Sequence, residues 1–260
     1  MMRSSNPALN AGVFTQARSF GQGEPMTIQG TVNKCFVLVF LLLVSAFWVW
    51  GKAFEPATSL DMVGQSTTVS LANVGGFIWG GMIGGLILGF VTIFKKEWAG
   101  ITAPLYALCE GLLLGGISAY YEAQFQGIVF QAVALTSGTL VSLLLAYKSG
   151  FIKATENFKL GIFAATGAIC FIYVINMIMG FFHASIPLIH SNGTFGIVFS
   201  LVVVVIAALN LVMDFDFIER GTEIGAPKYM EWYGAFGLIV TLVWLYLEIL
   251  RLLAKLNSRR

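Results

Sequence analysis

The run FGIVFSLVVVVIAA, residues 195–208, passes directly into LNLVMDFDFIERG, residues 209–221, and this junction decides the class of the protein. An uncharged apolar run meets two carboxylates, Asp214 and Asp216, so the chain is leaving a solvent that tolerates no charge. Similar runs recur outward from it in both directions. Those long enough to cross a bilayer, about 20 residues each, are read at residues 35–54, 71–94, 101–121, 127–147, 160–182, 193–213 and 232–256. Spans of this length must be helices, because an isolated strand leaves its backbone polar groups unpaired in lipid. The shorter alternating segments of a closed barrel are absent.

Composition agrees. Of the 260 residues, 57% are hydrophobic and 11% are charged, and the mean hydropathy is +0.83. A water-soluble chain carries about 25% charged residues, so an all-α, seven-helix membrane protein is expected. Fifteen basic against 13 acidic residues leave no nucleic-acid footprint. Residues 1–34 form a polar N-terminal segment with no apolar core of the signal-peptide kind, and residues 35–260 form the membrane domain. Insertion then begins at the first span. Lys and Arg number ten on the side that holds the N-terminus and five on the other. That asymmetry predicts a cytoplasmic N-terminus.

Cys35, Cys109 and Cys170 stand singly in apolar segments and read as buried small hydrophobes. His183 and His190 flank Pro187 without an acidic neighbour, so neither a metal site nor a cofactor is expected. No HExxH, GxSxG or P-loop pattern is present, which argues against an enzyme. In GGFIWGGMIGGLILG, residues 75–89, Gly76, Gly80 and Gly84 make one ridge and Gly81, Gly85 and Gly89 a second. Such ridges let partner helices approach closely.

Four acids fall within or at the end of a span: Glu110, Asp214, Asp216 and Glu248. Each costs at least ~2.5 kcal/mol at mid-bilayer unless compensated. Arg220, one turn on, can pair with Asp216, and Arg251 can pair with Glu248. Asp214 has only Asn210 among its polar one-turn neighbours, and an amide cannot neutralise it. It must reach water, find a distant cation or keep its proton. Glu110 has no base within a turn and is expected inside the bundle, capping a polar contact or lining an ion path. Lys95 and Lys96 anchor the second span, and one of them can turn inward toward Asp214.

LVMDFDFI followed by LYLEILRLL on the last span resembles the Bax inhibitor-1 family, in its bacterial Bax-inhibitor-like branch. RSSNPALN, MTIQGTVNK, YALCEGLLLGGIS and GAPKYMEWYGAFGLIVTLVWLYLEILRLL extend the resemblance over the chain. It implies seven helices with the C-terminal one central, in the bacterial plasma membrane. It also implies a pH-sensitive calcium leak, governed by two hydrogen-bonded acids on the last two helices. By motif these are Asp214 and Glu248, with Lys95 or Lys96 as the latch. The implied partners are the bilayer and calcium ions. At high pH the two carboxylates would repel each other, and at low pH they would share a proton.

Helix rise sets a condition on that pair. Glu248 lies sixteen residues past Trp232, or ~24 Å deeper, so contact needs residues 227–236 to project from the membrane or span six to shift. Glu110 is the substitute partner. The alternative function is a non-conducting regulator that binds another membrane protein, such as a membrane protease.

Overall fold

A computed structural model describes residues 24–54, 71–182 and 193–259. It contains seven long helices: α1 (Ile28–Ala53), α2 (Leu71–Phe94), α3 (Ala99–Gln124), α4 (Ile128–Lys148), α5 (Glu156–Phe181), α6 (Thr194–Glu223) and α7 (Met230–Asn257). A short 3-10 turn, Lys96–Trp98, joins α2 to α3. All seven helices are long and apolar enough to cross a membrane, and the described residues form no strand. The fold is the expected all-α, seven-helix membrane class. His183, His190, Pro187 and the RSSNPALN segment lie outside the described residues.

The helices outrun the apolar stretches most at two points. α1 begins at Ile28, within the polar segment, and α6 runs on to Glu223 through both aspartates. Gly225, in the left-handed region at φ 65°, then turns the chain, and Ala226 N–H closes on the Gly221 carbonyl at 3.0 Å. Glycine accepts that conformation without steric cost. Asp214 is therefore not at the end of its helix. It lies nine residues, or ~14 Å, before the end of α6.

α7 is the most enclosed helix, with 61% of its most apolar window buried against 50% for the α3 span and 33% or less elsewhere. The chain divides into two compact units. One holds residues 24–28, 130–228 and 240–259, so it contains most of α4, all of α5 and α6, and the second part of α7. There Met26 N–H donates to the Ala226 carbonyl at 2.7 Å, tying the segment before α1 to the α6–α7 turn. The other unit holds residues 29–129 and 229–239.

In this second unit the Gly81 ridge faces α3 closely. A Cβ at Gly81 would lie 2.5 Å from the Cys109 carbonyl oxygen, and one at Gly84 2.9 Å from Cys109 Sγ. At Gly85 it would meet Glu110 Oε1 at 2.8 Å, and at Gly89 the Tyr106 ring at 3.5 Å. Among the described residues a Cβ at Gly76 or Gly80 would meet no packed neighbour within 4 Å, so the other ridge meets one there only at Gly84. The cysteines are free, but Cys170 is exposed and Cys35 and Cys109 are half-buried, contrary to the burial expected of all three.

Candidate functional site

α6 and α7 run antiparallel in the first unit, and their register can be read from two contacts. The Thr241 hydroxyl donates to the Asp214 carboxyl group, and Lys255 Nζ donates to Ser200 Oγ at 2.8 Å. Fourteen residues separate Asp214 from Ser200, and fourteen separate Thr241 from Lys255. The two helices therefore keep step over four turns. That register sets Glu248 level with Ala207, a fully buried small residue, and not with Asp214.

Asp214 is 3% exposed. Its Oδ2 is the one buried side-chain polar atom without a hydrogen bond among the described residues. Asn210, which the sequence offers as its neighbour, turns away to α5. Its amide donates to Thr166 Oγ1 at 2.9 Å and to the Ile206 carbonyl at 2.8 Å. Among the described residues Asp214 therefore has a single neutral donor and no cation in contact, and an ionised carboxylate so placed carries most of its desolvation cost.

Glu248 is equally buried, at 2%, but satisfied. Arg251 Nη1 donates to both carboxylate oxygens, at 2.8 and 3.0 Å. The Tyr173 hydroxyl on α5 adds a bond to Oε1 at 2.9 Å. The guanidinium also donates to that hydroxyl at 2.8 Å and lies 5.4 Å from the centre of its ring. The local pair expected from spacing is present, and Tyr173 completes it. No hydrogen bond joins Asp214 to Glu248. Thr241 and Glu248 lie seven residues apart, or ~10.5 Å along α7. That replaces the ~24 Å expected if span seven began at Trp232 level with Asp214.

Asp216 pairs with Arg220 at 2.9 Å, as its spacing predicts. Lys159 of α5 reaches the same oxygen at 2.9 Å, and the Tyr147 hydroxyl of α4 bonds Glu219. The extension of α6 past Asp214 is thus held from two neighbouring helices by charge-assisted bonds.

The remaining residues of interest fall in the second unit. Glu110, 8% exposed, hydrogen-bonds the Tyr106 side chain one turn earlier and fills the space left by Gly85. Lys96 Nζ lies 5.8 Å from the centre of the Tyr233 ring, while Lys95 is exposed beside the 3-10 turn. A further pair joins Lys34 to the fully buried Glu231, and Gly30 leaves room for that carboxylate. It links residues 197 apart in sequence, so spacing within one helix could not reveal it. Sequence reasoning also misses Thr241, Tyr173, Lys159 and Lys255. For two of them a signal exists, since Thr241, Glu248 and Lys255 recur every seven residues and share one face of α7. Among the described residues no group of three His, Cys, Asp or Glu side chains could hold a metal ion.

Seven apolar helices with carboxyl groups buried among them define a polytopic α-helical membrane protein. The chain belongs to the Bax inhibitor 1 like family, whose model matches residues 6–258. No curated protein and no solved structure gives a significant match to it.

Proposed function

We propose that the protein is a pH-gated leak for calcium and other cations, residing in the bacterial plasma membrane with its N-terminus cytoplasmic. The observation that carries this reading is the enclosed Asp214 carboxyl, with Oδ2 unpartnered and Thr241 its one donor among the described residues. A neutral carboxyl can stay in such packing. An ionised one draws in water or a cation, or forces α6 and α7 apart. Cation flux therefore rises as Asp214 loses its proton. Glu248 is the fixed member of the family's acid pair in this arrangement, already neutralised by Arg251. Sharing a proton with Asp214 would require α7 to slide about two turns along α6. Lys95 or Lys96 remains the proposed latch of a second state.

Flux measured in reconstituted vesicles across a pH series tests the reading. Asp214→Asn should abolish most of the pH dependence, and a wild-type profile in that variant rules the mechanism out. A second reading, a non-conducting regulator of another membrane protein, draws on the face of α2 at Gly76 and Gly80, where an added Cβ would find no atom within 4 Å. Absence of any leak from the purified protein, together with a partner released by Gly80→Leu, would favour it.

A further inference from the structure

α6 ends at Glu223 and α7 begins at Met230, so residues 224–229 are the whole link between the helices that carry Asp214 and Thr241. The first part of that link is fixed to α6. The Ile224, Gly225 and Ala226 N–H groups donate to the Arg220, Thr222 and Gly221 carbonyls at 3.1, 3.1 and 3.0 Å. Any axial shift of α7 against α6 must therefore be drawn from residues 226–229.

Another part of the chain holds those residues. Pro25 faces Pro227 in an antiparallel bridge, and Met26 N–H donates to the Ala226 carbonyl at 2.7 Å. Lys228 Nζ donates to Glu24 Oε2 at 3.0 Å. The Met26 side chain is 2% exposed, although Pro25 and Thr27 on either side of it are exposed. An exposed ion pair such as Glu24–Lys228 contributes little, so the backbone bond and the buried Met26 do most of the holding. In the second unit, Lys34 pairs with the fully buried Glu231 in the first turn of α7. The chain entering α1 thus grips the link and, eight residues on, the start of the helix that the link leads into.

We propose that residues 24–27 are an autoinhibitory strap, which holds residues 226–229 and so keeps α7 in the register that buries Asp214. This rests on the leak reading above and adds to it the contact that must give way before α6 and α7 part. Thr241 faces Asp214 from α7, and among the described residues no charged side chain meets it. Strap and proton are therefore linked: whatever stabilises the closed register also favours the protonated carboxyl, and the reverse. A reversible cross-link tests this. Residues opposite each other across an antiparallel bridge lie ~4.5–5.5 Å apart, within reach of a disulfide. Pro25→Cys with Pro227→Cys, in a background lacking Cys35, Cys109 and Cys170, is reconstituted and measured oxidised and then reduced. At a pH where the reduced protein leaks, the oxidised protein should carry about a tenth or less of its calcium flux. Its Asp214 carboxylic-acid band in the infrared should persist to a pH about one unit higher. Met26→Ala, which removes the buried anchor, should do the opposite. Flux should rise about tenfold at a pH where the wild type is nearly closed, and the band should vanish at lower pH.

Equal flux and an unmoved band in the oxidised and reduced protein overturn the strap, as does failure of the two thiols to cross-link at all. If Asp214→Asn has nevertheless lost its pH dependence, the leak reading stands without the strap. A band that moves on oxidation, in protein that passes no calcium at any pH, supports the strap and overturns the leak.

Discussion

Asp214 and Glu248 show how differently two buried carboxyls can be kept. Arg251 grips Glu248 with one nitrogen on both oxygens, and Tyr173 closes the arrangement. Removing the guanidinium leaves a carboxylate that is 2% exposed without a counter-charge. Because the Arg251 side chain is itself 37% exposed, solvent shares part of that loss. Arg251→Met should cost about 1–3 kcal/mol, read as a fall in the melting temperature of the detergent-solubilised protein. Adding Glu248→Gln should recover much of it, and simple additivity of the two changes would show that the pair is not coupled. The ion pairs Asp216–Arg220 and Glu248–Arg251, each within one turn, are legible in the sequence because helix geometry fixes which residues meet. The donor to Asp214 is not, since Thr241 comes from another helix and its approach depends on the α6–α7 register.

Among the helices, α2 provides the sharpest contrast, between two adjacent residues. A methyl group at Gly81 meets the Cys109 carbonyl of α3, whereas one at Gly80 meets no packed neighbour within 4 Å among the described residues. Gly81→Ala should destabilise the protein by about 1–3 kcal/mol through overpacking. Gly80→Ala should be neutral or stabilising by up to ~1 kcal/mol, because alanine is the better helix former. Equal effects in a thermal unfolding comparison would mean that α2 meets α3 on a different face. Both glycine ridges are visible in the sequence, but nothing there tells which one a neighbour uses. The end of α6 escapes a hydropathy reading for a related reason. Hydropathy falls at Asp214, but the stop signal is Gly225 followed by Pro227. Between them, Lys159 and Arg220 neutralise Asp216, so the helix continues through residues too polar to resemble a span.

For the molecule as a whole, seven spans and their order follow from apolar runs alone, because lipid leaves a chain so few ways to satisfy its backbone. Family membership rests on motifs spread from one end to the other, in keeping with the match over residues 6–258. What the residues could not supply is the axial setting of α7 against α6, which decides whether the two acids meet. The observed setting gives Asp214 to Thr241 and Glu248 to Arg251, so Asp214 is the group whose proton is proposed to change the packing. Infrared titration of the reconstituted protein, run beside calcium flux on the same vesicles, tests that claim most directly. A carboxylic-acid band should vanish as flux rises over the same pH range, and both changes should be missing in Asp214→Asn. Flux that varies with pH while the Asp214 band stays constant would contradict it.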